Sequence, residues 1–262
     1  IQDAAFRAMG LERWRYLTLD IEPDGLADAI RALRVFKMRG VNCTIPHKIA
    51  VMAYLDEISP SAQLIGAVNT IVNTDGHLFG DNTDGKGFMR SLAANGVEAR
   101  GKRVVVLGAG GAARAICVEL ALAGAAEISI VHRQTSQALG DALVEILRQN
   151  TRTAAHCVQW TGEYAVPAGT DIIVNATPVG LYPDVEALPK LALDSITQDM
   201  FVQDIIPNPT ETALVREMRR RGIPCATGAG MLIEQAALNI EMWTGQKPDR
   251  SVMLKALEEA LA

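Results

Sequence analysis

The chain has 262 residues, nearly half of them hydrophobic, and a formal net charge of −5 with acids and bases mixed along its length. It carries no basic stripe, and no apolar run reaches the ~18 residues that a membrane span needs, so we expect neither nucleic acid nor a membrane as a partner. The four cysteines form no Cys-x-x-Cys pair and the four histidines no cluster. We therefore expect no metal site and a reducing, cytoplasmic location.

The first residues, IQDAAFRAMGL, are typical of the middle of a helix, so we expect a strand and a turn to precede Ile1. Residues 12–100 then alternate short strands and helices. The pattern predicts a strand at 15–21, an amphipathic helix at 24–38, a strand at 41–45, a helix at 47–56 and, within 62–96, two strands joined by the hairpin signal Asp75-Gly76. The loop GDNTDGKG follows and leads into a further helix.

The pattern changes at Gly101, where KRVVVLGAGGAARAICVELALAGAAEISIVHR predicts a βαβ unit. A helix at 135–149, strands near 155–160, at 171–177 and at 200–206, a helix within 207–222 and helices from 231 onward follow. Such alternation predicts an α/β fold with a parallel, doubly wound sheet. We expect two domains, an N-terminal α/β substrate domain of residues 1–100 plus 231–262 and a Rossmann-type dinucleotide-binding domain of residues 101–230.

The stretch VVVLGAGGAARA matches G-x-G-x-x-A at Gly108, Gly110 and Ala113, between a strand and a helix, which is the context that this motif requires. Gly108 permits the tight turn, Gly110 lets the backbone approach a pyrophosphate, and Ala113 lets the helix pack close to the strand. The helix N-terminus offers N–H groups to the phosphates. We predict a dinucleotide at this turn, bound by Gly108, Ala109, Gly110, Gly111, Ala112 and Ala113.

The end of the second strand indicates which dinucleotide binds. NAD sites usually place an acid there for the ribose 2′-OH, whereas here the strand ends in His132, Arg133, Gln134 and Thr135. An arginine with nearby hydroxyls suits a 2′-phosphate. We predict NADP as the cofactor, with His132 and Arg133 among its ligands. NAD is the alternative, with Gln134 or Thr135 contacting the ribose hydroxyls.

Lys48 follows a predicted strand in VNCTIPHKIAV, at a strand–turn–helix tip where no apolar packing requires it. A solvated surface lysine is the usual interpretation of such a residue. Asp84, in GDNTDGKG, is either a turn residue or a partner for that lysine, because turns collect aspartate. Spacing alone leaves both alternatives open.

Six stretches, NCTIPHK, GAVNTIV, GDNTDGKGF, GAGGAARA, NATPVGL and GMLIEQAALNIEMWTG, occur in the order and spacing of the shikimate/quinate dehydrogenase family, which the chain resembles over essentially its whole length. The resemblance implies an oxidoreductase of the shikimate pathway, in aromatic amino acid biosynthesis. It would transfer a hydride between NADP(H) and ring C3 of 3-dehydroshikimate or shikimate. The implied site residues are Lys48 and Asp84 for catalysis, Thr44, Asn69, Asn82 and Gln235 for the substrate, and Thr177, Gly230 and Met231 for the cofactor.

Two departures from the family pattern concern the substrate. The family's Ser-x-Ser, which grips the substrate carboxylate, would lie before Ile1, and its D-x-x-Y-N-P reads QDIIPNP here, with Pro207 at the tyrosine position and Tyr182 as a partial substitute. Quinate and aminoshikimate are therefore alternative substrates.

A non-catalytic NADP-binding regulator would not need Lys48, Asp84 and Gln235 intact. No G-x-S-x-G elbow supports a hydrolase. We expect a monomer or a homodimer.

Overall fold

The structure, a computed structural model, describes residues 1–261. It divides into two compact units: unit 1 comprises Ile1–Asp84 and Ile233–Ala260, and unit 2 comprises Gly85–Leu232 and Leu261. The sequence placed the domain boundaries near residues 100 and 231, and the substrate and cofactor roles of the domains stay a prediction. Among the described residues, no helix combines the length and apolar character that crossing a membrane requires.

In chain order from the N-terminus, the helices and strands are α1 (Gln2–Ala8), α2 (Leu26–Val35), β1 (Gly40–Asn42), α3 (His47–Ala50), β2 (Glu57–Ile58), α4 (Pro60–Ile65), β3 (Thr70–Thr74), β4 (His77–Asp81) and α5 (Thr83–Ala94). They continue as β5 (Arg103–Leu107), α6 (Gly111–Leu122), β6 (Glu127–His132), α7 (Gln137–Asn150), β7 (Ala154–Gln159), β8 (Ile172–Asn175), β9 (Phe201–Asp204), α8 (Ala213–Arg220), β10 (Cys225–Ala226), α9 (Gly228–Thr244) and α10 (Arg250–Leu261).

Unit 1 is built on a sheet of order β1-β3-β4-β2, in which β3 pairs antiparallel with β1 and β4 while β2 runs parallel to β4. The predicted hairpin is confirmed, since Asp75 and Gly76 both take positive φ between the paired residues Thr74 and His77. The buried apolar side chains of this unit come from α2, the segment after α3, α4 and the central strands. They include Leu26, Ile30, Leu33, Val51, Ala62, Val68, Ile71 and Leu78.

The predicted strand at 15–21 is wrong, because this segment belongs to neither sheet among the described residues. Side chains hold it instead: the Tyr16 hydroxyl donates to Asn42 Oδ1 at 2.9 Å, and His47 Nε2 lies 2.8 Å from the Ile21 carbonyl oxygen. Leu17 and Leu19 are 65% and 57% exposed. Alternating hydrophobicity therefore does not by itself show that a segment pairs in a sheet.

Two further local predictions need correction. The helix predicted at 47–56 is one α-helical turn, α3, followed by a 3-10 turn at Val51–Tyr54. Asp84 does not lie in a loop ahead of a helix, because α5 begins at Thr83 and contains Asp84 in its first turn. A carboxylate is favourable there because the helix dipole is positive at its N-terminus, and Asn82 Oδ1 also accepts from the Asp84 N–H at 3.1 Å.

Unit 2 is a six-stranded, wholly parallel sheet of order β10-β9-β8-β5-β6-β7. This confirms the predicted doubly wound fold. The inner strands read as continuous apolar runs because helices cover both faces of such sheets. The short strand β10 was not predicted, since two residues carry no periodicity. The chain order reverses between β5 and β8, and ligands of such sheets bind at the carboxyl ends of the strands at that point.

The C-terminal half of α9 packs directly on the sheet of unit 1. Trp243 Nε1 donates to the Ile71 carbonyl at 3.0 Å, and a Cβ placed on Gly40 would come within 2.2 Å of the same nitrogen. Only glycine at position 40 lets the indole approach β1 and β3 so closely. This packing fixes the face of α9 that carries Gln235 and Asn239.

Candidate active site

Lys48 and Asp84, the two residues that the resemblance implies for catalysis, form an ion pair. Lys48 Nζ lies 2.6 Å from Asp84 Oδ2, and both side chains are largely but not fully buried, with 28% and 20% of their surface exposed. Lys48 is the second residue of the short helix α3, and Asp84 lies in the first turn of α5. The ammonium is therefore held at a defined place by a charge-assisted bond and still reaches solvent.

Asn69 orients the carboxylate from the opposite side. Its Nδ2 donates to Asp84 Oδ1 at 2.7 Å, so each oxygen of Asp84 has its own partner. The amide of Asn69 is fixed in turn, because its Oδ1 accepts from the Thr83 N–H at 2.8 Å and from the Thr70 hydroxyl at 2.9 Å. Asn69 is buried. The structure thus brings together Lys48, Asn69 and Asp84.

The other predicted substrate residues differ in how directly they join this set. Asn82 is buried. Its Nδ2 donates to the Ala67 carbonyl at 3.0 Å and its Oδ1 accepts from the Asp84 N–H, so both polar groups of its amide are hydrogen-bonded to the backbone. Thr44 is exposed, and its carbonyl accepts from the His47 N–H at 2.8 Å. Gln235 is half-buried and accepts through Oε1 from Asn239 Nδ2 at 3.3 Å. Their contacts with a substrate stay a prediction.

The glycine-rich turn of unit 2 fits a dinucleotide. Gly108 has φ of 108°, and a Cβ on it would lie 2.8 Å from the Ala176 carbonyl oxygen, so the turn itself requires glycine. A Cβ on Gly110 or Gly111 would meet nothing within 4 Å. The open space beside these two glycines is where the first turn of α6 presents its N–H groups. Ala109 and Ala113 are buried and Ala112 half-buried beside them.

At the end of β6, the two residues predicted to bind the cofactor differ in their exposure to solvent. His132 is buried. A Cβ added to Gly140 would lie only 2.7 Å from Cδ2 of the His132 ring, so the imidazole packs against Gly140 inside unit 2. Arg133, Gln134 and Thr135 are exposed at the start of the 3-10 turn that follows. Arg133 is therefore the better placed of the two predicted residues to meet a phosphate.

Thr177 lies next to the glycine-rich turn, because its Cγ2 would be 3.5 Å from a Cβ on Gly108. Its hydroxyl donates to Asn175 Oδ1 at 2.7 Å, which fixes the loop after β8. Gly230 and Met231 lie in the first turn of α9, where a Cβ on Gly230 would come within 2.6 Å of Ser91 Oγ. All the predicted cofactor residues belong to unit 2.

The cysteines are free thiols, and burial raises the pKa of each of them. For Cys43 burial raises the pKa to about 11, although the Lys48 ammonium opposes this effect. The thiols are therefore protonated at neutral pH and are poor nucleophiles or metal ligands. Among the described residues, no group of three or more His, Cys, Asp or Glu side chains could hold a metal ion.

Sequence reasoning missed three buried residues behind the Lys48–Asp84 pair. Thr70, Thr83 and Asn239 are fully buried and hydrogen-bonded to one another and to Asn69. One signal was present: Asn239 is a polar residue four positions after Gln235 in an apolar helix, and residues at that spacing are neighbours on one helix face.

Two family models match the chain. The model described as the shikimate dehydrogenase substrate binding domain matches residues 1–71, and the shikimate 5'-dehydrogenase C-terminal domain matches residues 228–258. A curated relative, the shikimate dehydrogenase (NADP(+)) of Desulforamulus reducens, is 40% identical over all of this chain and 90% of its own length.

Two solved structures are similar over nearly the whole chain. The ligand-free 5-ketofructose reductase of Gluconobacter sp. strain CHM43 has a TM-score of 0.94 at 42% identity, covering 98% of this chain and 91% of that one. The shikimate 5-dehydrogenase of Listeria monocytogenes, in complex with shikimate and NAD, has a TM-score of 0.90 at 33% identity, covering 100% and 90%.

Proposed function

Because this chain belongs to the shikimate dehydrogenase family, a family of oxidoreductases, we propose that it transfers a hydride between NADP(H) and ring C3 of 3-dehydroshikimate or shikimate. The observation that carries the proposal is the Lys48–Asp84 ion pair with Asn69 behind it. NADPH supplies the hydride when it is bound. The residues of unit 1 bind the substrate and handle the proton.

The chemistry needs one proton at one oxygen. Adding a hydride to the C3 carbonyl carbon leaves negative charge on its oxygen, and a proton must reach that oxygen as the charge forms. The Lys48 ammonium is proposed to donate it and, in the oxidative direction, the Lys48 amine to accept it. Such general acid–base help contributes roughly 10²–10⁴-fold in rate. Asp84 keeps the ammonium in position, and Asn69 keeps Asp84 in position.

The proposed cofactor follows from Arg133 and from the relative named for NADP(+). The exposed guanidinium suits a 2′-phosphate, and residues 132–136 contain no acid to bind a 2′-hydroxyl. The turn at Gly108–Ala113 would hold the pyrophosphate.

We predict that Arg133→Ala raises KM for NADP at least tenfold while KM for NAD changes little, because only NADP carries the 2′-phosphate that a charge-assisted bond would hold. Steady-state kinetics with both cofactors measures the effect. Arg152→Ala is the control, since it removes another arginine of unit 2 that has no predicted role. Equal rises for NADP and NAD, or a wild-type preference for NAD, would contradict Arg133 as the selecting residue.

A second candidate function is the reduction of a keto sugar. It is favoured by the similarity to 5-ketofructose reductase and by Pro207, which stands where the family pattern has tyrosine. Both candidate substrates are polyhydroxy ketones that the same lysine could protonate. They differ in the carboxylate, which only 3-dehydroshikimate carries.

A substrate panel tests the proposal. The protein is assayed with 3-dehydroshikimate, shikimate, quinate, aminoshikimate and 5-ketofructose, each with NADP(H) and NAD(H). We expect the highest kcat/KM for the 3-dehydroshikimate and shikimate pair with NADP(H). A higher kcat/KM for 5-ketofructose would make the keto sugar, rather than 3-dehydroshikimate, the assigned substrate. Cofactor binding without turnover of any compound would favour a regulator.

The proposal extends to the setting of the enzyme. Four free thiols suit a reducing compartment, so we propose a cytoplasmic enzyme that acts as a monomer or a homodimer. Light scattering of the purified protein measures the mass.

A further inference from the structure

Asn239 lies at the centre of a buried polar network in unit 1. It is fully buried on α9, and its Oδ1 accepts from the Thr70 and Thr83 hydroxyls, both at 2.8 Å. A buried amide is costly unless its groups are paired. The network therefore requires a specific arrangement of hydrogen bonds.

The two threonines connect Asn239 to Asn69. The Thr70 and Thr83 hydroxyls also lie 2.9 and 3.2 Å from Asn69 Oδ1. Each hydroxyl has one proton to donate, so two protons serve two amide oxygens, one on Asn69 and one on Asn239. If the oxygen of Asn239 is removed, the two hydroxyls can donate only to Asn69 Oδ1 or to each other, since they lie 3.0 Å apart, and the network must rearrange.

The same arrangement fixes the amide of Gln235. Because Oδ1 of Asn239 faces the threonines, its Nδ2 faces Gln235 and donates to Oε1 at 3.3 Å. The Oε1 of Gln235 is thereby engaged as an acceptor. Its Nε2 is left to donate, which is the role that a substrate hydroxyl or carbonyl oxygen requires.

We propose that Asn239 is a positioning residue that holds Gln235 in its donor orientation. The inference rests on the proposed function, because it assigns Gln235 to the substrate. Asn239 itself does not touch the substrate. Its effect passes through the Gln235 amide, and the Thr70 and Thr83 hydroxyls determine which way the Asn239 amide faces.

A double-mutant cycle between Asn239→Leu and Gln235→Ala tests the inference. Leucine keeps the approximate shape and removes both polar groups. We expect Asn239→Leu to lower kcat/KM roughly tenfold, mainly through KM for the ketone, and to lower it less than about twofold further in the Gln235→Ala background. Residues that act through one another show such non-additivity. A merely structural asparagine would give multiplying effects, and that result would overturn the inference.

Asn73→Leu is the matched control. Asn73 is a buried asparagine of the same unit that bonds only backbone in the structure, donating to the Leu33 and Met38 carbonyls and accepting from the Gly76 N–H. We expect Asn73→Leu to lower Tm. Any effect it has on kcat/KM should multiply with the effect of Gln235→Ala, because the two residues do not act through each other. If Asn239→Leu does not fold, Asn239→Asp keeps an acceptor oxygen for the threonines, replaces the donor to Gln235 with a second acceptor and adds a buried charge. The same non-additivity with Gln235→Ala is expected.

The substrate panel separates this inference from the proposed function. If the wild-type protein does not reduce 3-dehydroshikimate but reduces another ketone, the proposed substrate is refuted. The double-mutant cycle is then measured with that ketone. Multiplying effects there overturn the role of Asn239 alone. If the protein neither reduces nor binds any compound of the panel, both proposals fail.

Discussion

We expect Lys48→Ala to lower kcat for 3-dehydroshikimate by ~10²-fold or more while NADP binding is unchanged, because the substitution removes the proposed proton donor and leaves unit 2 untouched. The backbone of Lys48 also accepts from the Val68 N–H at 2.8 Å, and alanine preserves that bond. Steady-state kinetics and fluorescence titration with NADPH measure the two effects.

Lys102→Ala is the matched control for this substitution. Lys102 pairs with Asp171 at 2.8 Å in unit 2, so the chain offers a second Lys–Asp pair of similar geometry without a predicted role. We expect near wild-type turnover from it. Loss of NADPH binding in Lys48→Ala, or a Tm drop that accounts for the lost activity, would assign Lys48 a structural role.

The fold of unit 2 could be predicted from the sequence because its signals are local and repeated. Apolar runs such as those of β5 and β8, separated by helical segments, leave little choice but a parallel sheet. Gly108 added a conformational requirement, since its positive φ next to the Ala176 carbonyl excludes other residues. The open space beside Gly110 then agreed with a role for glycine toward a ligand.

Unit 1 was harder to predict because its pairing is not local. The alternation at 15–21 is real, but a strand is defined by a neighbour, and none pairs with this segment among residues 1–261. The start of α5 was missed because asparagine, aspartate and glycine dominate residues 81–87 and favour turns. In the structure the Asn82 side chain instead binds the Asp84 N–H in the first turn of α5.

The site was predictable only where a motif marks it. Lys48 and Asp84 are separated by 36 residues, and only the family resemblance linked them. Thr70, Thr83 and Asn239 lie within the stretches that resemble the family, but the resemblance assigns them no role. Their connection to Asn69 is visible only in the three-dimensional structure, because hydrogen bonds depend on atomic positions to within a few tenths of an ångström.

Asp84→Asn should lower kcat by roughly 10²-fold, because misplacing a reacting group by about 1 Å costs that much. Asparagine has the shape of aspartate, but its NH₂ group must face either Lys48 Nζ or Asn69 Nδ2, which both donate to Asp84. One donor then faces another donor, and the ammonium loses its counter-charge. The Lys48 side chain is free to leave the position from which it would protonate the substrate.

The matched control is Asp171→Asn, which breaks the Lys102 pair in the same way and should leave kcat within about twofold of wild type. The measurement is kcat, KM for both substrates and Tm of each variant. If Asp84→Asn turns over 3-dehydroshikimate as fast as the control, the carboxylate does not position Lys48, and Asp84 is only a helix-start residue. If Asp84→Asn is slow and Lys48→Ala is fast, the proton comes from elsewhere and the proposed assignment of Lys48 fails while that of Asp84 stands.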